Sequence, residues 1–364
     1  MAELPYISSP ETSFDRIDER LRSHATTIVV VGVPIAELGG RRYTWNLNGL
    51  AAGRQGLTLG EKLDGAMHLP FEQLMSEGPY MPGAIHERTD IKKREINFSV
   101  QVGAEGNGNP QVSGFKYRMI EQRWWASWSE YEDSFLGVYT RTHGWRWLKV
   151  RLAEGSKTPF ELDPTAYDNN FMEWDMTVVA AQPFYAKRAV LPPPWKNTAT
   201  TSTPYNVIAD MLFADIIPGR HVGEGNIVLP NSGTFRTFPK YLVSAPGRIW
   251  IQDGISTRMV ELPMLLPDDG VVLVDTDPMA RTLTAAKDPV DPLFFQIARN
   301  SQFLDFFLHD LLVSGLPVWR RMTDRFTEQG ALPARSETIV KVRHSNPDGV
   351  ISAIVPQRYK MAYG

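Results

Sequence analysis

The 364-residue chain is 43% hydrophobic and 22% charged, with a formal net charge of -3 and no cysteine. That profile describes a soluble globular protein of two domains, because a single core stops growing at roughly 250–300 residues. The lack of cysteine removes disulfides, thiolate zinc sites, iron–sulfur clusters and cysteine nucleophiles. The balance of 38 basic against 41 acidic residues leaves no global field to hold a polyanion.

The chain opens Met1-Ala2-Glu3-Leu4-Pro5, acidic where a signal peptide is basic, so synthesis and retention in the cytoplasm are expected. Residues 28–36 and 303–319 are the longest apolar runs. Neither reads as a membrane span: the first is short, and the second carries Asp305, His309 and Asp310. Residues 1–25 are assigned to an N-terminal arm in which Phe14, Ile17 and Leu21 follow a helical period. A β-branched run over 26–33 predicts a buried strand, and short strands are expected at 42–46 and 57–59. The Gly-rich stretch 49–65 is expected to act as an arm, and 70–75 as one or two helical turns. Strict alternation of Ile96, Phe98, Val100 and Val102 with polar residues predicts a half-buried strand.

Ser113 opens a predicted helix whose Tyr117, Ile120, Trp124 and Trp128 share one face. Strands are expected at 135–141, at 145–152 (Trp145, Trp147, Lys149 and Arg151 on one face) and at 173–181. This makes 26–186 a sheet-dominated α+β domain. Three consecutive prolines, 192–194, mark 187–197 as a semi-rigid linker. Beyond it, an edge strand is expected at 198–203. Short strands at 227–229, 240–244, 248–252, 258–262, 271–275, 280–286, 337–343 and 349–355 give 198–364 the rhythm of a β-sandwich. Residues 291–332 interrupt that rhythm as an inserted helical hairpin, its second helix carrying Val318, Met322 and Phe326 on one face.

No motif here carries enzymatic chemistry. Gly103, Gly106 and Gly108 follow a strand and precede a helix, but their spacing is not that of a dinucleotide loop. The seven histidines are scattered singly, with no metal-ligand spacing. Asp275-Thr276-Asp277 reads as a strand end closed by Pro278, and Glu130, Glu132 and Asp133 as a solvated loop rather than a glycosidase pair. No catalytic, cofactor or metal residue is assigned. Ten tryptophans, five of them between 124 and 147, read as core and contact surface. Trp125, off the buried face of its helix, and Trp195 are the two assigned to partner or glycan contact.

Taken in order, several segments resemble the distal tail proteins of long-tailed siphophages. Val178-Val179-Ala180-Ala181-Gln182-Pro183-Phe184-Tyr185 matches the strand and short tag that end the family's ring-forming domain, with Gln182 where an aspartate is usual. Asn231-Ser232-Gly233 ahead of Pro239-Lys240-Tyr241 is similar to the entry of its galectin-like domain. Val272 to Asp277 and Arg281 to Thr284 are similar to a later strand pair. The resemblance implies a mainly β fold with some α, a ring domain followed by a galectin-like sandwich, and a hexameric ring in the virion tail tip. It implies as partners further copies of the chain, the tail tube, tape measure and tail hub proteins, with no cofactor, no nucleic-acid specificity and no membrane insertion. Rival readings are a carbohydrate-binding adhesion module stacking sugar on Trp125 or Trp195, and a cell-wall hydrolase.

Overall fold

The computed structural model describes residues 26–35, 39–49, 51–77, 82–102, 114–155, 163–165, 171–198, 222–278, 280, 283–285, 322 and 324–363. The predicted N-terminal helix, the 103–110 loop, most of the 198–203 strand and residues 291–321 of the helical insertion lie outside them. Among the described residues the fold is mainly β, with one α-helix, and no helix is long and apolar enough to cross a membrane. The chain divides into two units: Met1–Ala186 with Tyr359–Gly364, and Lys187–Arg358. Residues 359–364 thus belong with the first unit and not with the C-terminal domain.

The first unit is an antiparallel path in the order β2-β1-β7-β8-β9-β6-β3. Its strands are β1 (Thr27–Ile35), β2 (Arg41–Asn48), β3 (Leu57–Asp64), β6 (Arg94–Val102), β7 (Ser134–Thr140), β8 (Gly144–Glu154) and β9 (Met172–Ala180), and β10 (Tyr185–Val190) pairs with β8 through Ala186 and Trp147. β2 and β3 lie close without pairing, so the path curls around one core. Helix α1 (Gly114–Ala126) closes that core with Tyr117, Ile120 and Trp124, and Trp128 follows just past the helix end. The aromatics interlock edge to face, Trp45 to Trp124 at 5.4 Å and Trp124 to Trp128 at 5.3 Å. Trp145 and Trp147, also buried, stack on each other at 5.1 Å.

Two sequence expectations fail here. Residues 49 and 51–56 form hydrogen-bonded turns, and β3 pairs with β6, so the described part of the Gly-rich stretch is packed rather than extended as an arm. Residues 71–76 are a strand, β4 (Phe71–Ser76), paired with β5 (Ile85–Ile91). Its apolar residues fit a helical turn by spacing, but the pairing partner fifteen residues on decides the outcome.

The second unit packs two antiparallel sheets on one core. One runs β12 (Gly223–Asn231), β18 (Ser336–His344), β14 (Ile249–Gln252), β15 (Met259–Glu261). The other includes β17 (Leu283–Ala285), β16 (Val271–Asp275), β13 (Lys240–Ser244), β19 (Val350–Tyr359) and β11 (Trp195–Lys196). Alternate residues of both point inward, among them Ile227, Leu229, Tyr241, Val243, Val272, Val274, Val340 and Val342. The predicted linker contributes structure, because Trp195 and Lys196 pair with Ile351 and Val350. Met322 and residues 324–327 are not helical, and a single 3₁₀ turn follows at Glu328–Gly330. Asp253 explains this stretch: its buried carboxylate accepts from the Thr327 amide and hydroxyl, which draws the backbone out along the sheet.

Three buried phenols make the fold sensitive to alkali. Burial pushes Tyr117 up to about 12, helped by nearby Glu121, and raises Tyr185 and Tyr241 as well. A phenol whose pKa is higher folded than unfolded adds stability below about pH 10 and loses it as pH rises through the folded value. In an alkaline titration followed by phenolate absorbance, these three are expected to stay silent until the chain unfolds cooperatively. A smooth native-state titration of all 12 tyrosines would contradict this.

Candidate functional site

The first unit is organised around a buried cation. Arg94 falls in phase with Ile96, Phe98 and Val100 on the inward face of β6 and is fully buried. Its Nε and Nη2 donate to the Pro183 carbonyl at 3.0 and 2.9 Å. Nη1 donates to the carbonyls of Gly65, Ala66 and His68, and Nη2 also to that of Lys360 at 2.9 Å. The Tyr185 ring lies under the guanidinium at 5.1 Å, and its hydroxyl donates to the Ala66 carbonyl. No carboxylate among the described residues pairs with Arg94. Burial lowers its pKa, the Tyr185 phenol opposes that shift, and a guanidinium remains charged. Gly65 has φ +75°, and a Cβ there would fall 1.9 Å from the Glu95 carbonyl, so only glycine brings this loop under Arg94. Arg146, also buried, donates to the Met361 carbonyl and lies 4.1 Å above the Tyr359 ring. Together the two arginines hold residues 359–361 within the first unit.

Arg94 thereby clamps both feet of the β4–β5 hairpin, which leaves the loop at Gly65–His68 and returns just before Arg94. The hairpin is a two-stranded sheet of its own, with a bulge between Leu74 and Met75. Phe71 opposite Ile91, Gln73 opposite Thr89 and Met75 opposite His86 share one face, on which His86 Nε2 and Thr89 Oγ1 are 2.9 Å apart. That face has no formal charge. The other carries two ion pairs, Glu72 with Lys92 at 3.0 Å and Arg88 with Asp90 at 3.2 Å. Phe71 is 59% exposed, Met75 46% and Ile91 37%.

The residues singled out by sequence lie elsewhere. Trp125 is half-buried and meets Trp174 edge to face at 5.3 Å. Trp195, in the other unit, packs partly on its core, and a Cβ at Gly225 would fall 1.8 Å from its indole Nε1. Asp133 is held by Lys149 at 2.8 Å and Arg151 at 2.9 Å, while Glu130 and Glu132 are exposed on the Ser129 turn. Asp275 pairs with Lys240 at 3.1 Å and Asp277 with Arg358 at 3.0 Å. His344 is buried between the Ser244 carbonyl and the Asn346 amide, which fixes Nε2 as donor and Nδ1 as acceptor. Among the described residues no group of three or more metal-ligating side chains comes together.

Three of the segments behind the family resemblance sit at buried polar joints, and Arg281 and Thr282 of the fourth lie outside the described residues. Pro183 and Tyr185 receive Arg94. Asn231 donates to the carbonyls of Phe235, Leu332 and Pro333 and accepts from the Gly233 amide at 3.0 Å. A Cβ at Gly233 would fall 2.5 Å from the Arg358 carbonyl, so the glycine permits a close backbone approach. Thr276 donates to the Pro239 carbonyl at 2.6 Å. Sequence reading missed Arg94; the available signal was a charged residue in phase with the apolar face of a clearly alternating strand.

No protein-family model and no curated protein matches the chain. Solved structures similar to it include a phage Dit protein and chains of a phage baseplate. The SPP1 Dit protein, described as a paradigm of the hub adsorption apparatus in phages infecting Gram-positive bacteria, is 12% identical, with 92% of this chain and 98% of that one covered at a TM-score of 0.47. The phage P2 baseplate in its activated conformation with calcium is 10% identical, with 92% and 99% covered at a TM-score of 0.48.

Proposed function

We propose that this chain is a structural phage protein of the distal tail protein kind. Its first unit closes into a hexameric ring between the tail tube and the tail tip, and its second unit is the galectin-like domain. The observation that carries the reading is the ordered set of family-like segments, three of which lie at joints that fix a domain. Gln182–Tyr185 closes the first unit around Arg94, and Asn231–Gly233 and Asp275–Thr276 tie the second. The role is non-enzymatic and the location the virion tail. Trp125 and Trp195 remain contact positions for tail partners.

The test is assembly. Multi-angle light scattering of the purified full chain is expected to give a particle of six times the 41.0 kDa chain mass. Antibody-labelled electron microscopy of the virion is expected to place it where tube meets tip. A chain that is monomeric at high concentration and absent from the tail would overturn the proposal.

A further inference from the structure

We infer that residues 359–362 are a strap that completes the first unit only once the second unit has folded, so that a chain becomes competent to assemble only when both are in place. The strap belongs to the first unit, yet residues 187–358 separate it from the rest of that unit. It gives Tyr359 and Ala362 to the core, and Ala362 is 1% exposed. Its backbone is bound at three successive residues. The Lys360 carbonyl accepts from Arg94, the Met361 carbonyl accepts from Arg146, and the Ala362 amide donates to the Met67 carbonyl at 3.2 Å. Both arginines are buried, so without the strap each loses an acceptor for a charged donor that water does not reach. The strap and Arg94 also hold the same loop: the carbonyls of Gly65, Ala66 and His68 go to Arg94, and that of Met67 goes to the strap. This loop is the foot of the β4–β5 hairpin.

Synthesis order turns this geometry into a checkpoint. A domain at the front of a chain ordinarily folds as it is made. The first unit cannot be finished that way, because its strap follows the whole second unit in sequence. Closing so long a loop costs entropy, and the second unit lowers that cost. Within it, Trp195 and Lys196, soon after the chain leaves the first unit, pair with Ile351 and Val350, shortly before the chain returns. Once that pairing forms, the strap is tethered at high effective concentration. Asn197 secures the pairing by donating to the carbonyls of His344 and Asn346. The loop at 65–68 is therefore locked last.

Only the assembly measurement rests on the ring reading; amide hydrogen exchange reads the strap by itself. A chain ending at Arg358 and full-length A362E are each expected to exchange the amides of 65–68 and of β6 roughly tenfold faster or more, with those of β12 and β18 unchanged. Both are expected to lose the six-copy particle. The carboxylate of A362E denies the strap its buried seat without shortening the chain, so this variant decides the matter if the shortened chain does not fold. Y363A, just past the strap and 44% exposed, is expected to match the wild type. N197A loosens the second unit alone, and is nevertheless expected to speed exchange at 65–68. Wild-type exchange at 65–68 in A362E overturns the strap, as does equal loosening of β12 and β18. Exchange at 65–68 that stays slow in N197A while Trp195 and Lys196 open overturns the coupling. A362E that assembles as the wild type does overturns the checkpoint and leaves the ring reading standing. A wild type that never assembles overturns the ring reading and the checkpoint, while exchange still decides the strap.

Discussion

Arg94→Ala is expected to destabilise the first unit by about 4 kcal/mol, the scale found when one partner of a buried charged network is removed. For a unit of this size the corresponding drop in melting temperature is roughly 12 °C. The guanidinium donates to the carbonyls of Gly65, Ala66, His68, Pro183 and Lys360. Truncation strands most of these acceptors away from water, and each stranded acceptor costs about 1–3 kcal/mol unless the loop relaxes toward solvent. Ala66 is the exception, because the Tyr185 hydroxyl also serves it.

Lysine is not a rescue. Its three hydrogens radiate from one atom and do not span acceptors on both sides of a planar fork, so Arg94→Lys is expected to fall near alanine. Arg94→Met removes the desolvated charge and keeps the volume, and is expected to cost about half as much. Thermal unfolding of the three variants measures the order directly. An alanine variant within 1 kcal/mol of wild type would show that Arg94 holds nothing. Amide exchange gives a second readout: residues 71–91 should exchange faster in Arg94→Ala, because the anchor of the hairpin is gone.

Much of the strand pattern was legible because it depends on burial periodicity. The alternation from Ile96 to Val102 and the β-branched runs at 26–33 and 271–275 each produced a strand, and Tyr117, Ile120 and Trp124 were read on the buried face of their helix. The hairpin was illegible for the converse reason. Its strands bury no face, so they lack the period-two signature, and only the cross-strand register from Phe71–Ile91 to Ser76–Ile85 makes them strands. Arg94 was missed for a related reason. Burial of a cation by backbone carbonyls depends on loops at 65–68, 183 and 360 converging, and those positions share no local pattern. The tryptophan excess divides the same way. Trp124 and Trp128 were read from spacing, while the contact between Trp125 and Trp174 joins a helix to a strand about fifty residues away.

In the second unit, Asn231→Ala is expected to cost about 3 kcal/mol, with a fall in melting temperature of roughly 8 °C. Asn231 is 1% exposed, and its amide is the meeting point of β12, the turn at 233–235 and the strand entry at 332–333. Leu332 keeps a second donor in the Thr237 amide. Pro333 likewise keeps the Ser336 hydroxyl, so the loss falls on the Phe235 carbonyl, which loses the Asn231 donor, and on the buried Gly233 amide, which loses its acceptor. Asn231→Asp separates this account from simple loss of volume, since it preserves shape and the acceptor for Gly233 while replacing two hydrogens by an oxygen facing carbonyls. At neutral pH it should be at least as damaging as alanine. A carboxyl so placed resists ionisation, so its folded pKa lies above the unfolded value, and the penalty should shrink as pH falls and the group takes up a proton. Alanine shows no such recovery. Unfolding curves for both variants at neutral and mildly acidic pH decide the matter: parallel behaviour of the two would mean that Asn231 acts only by filling space.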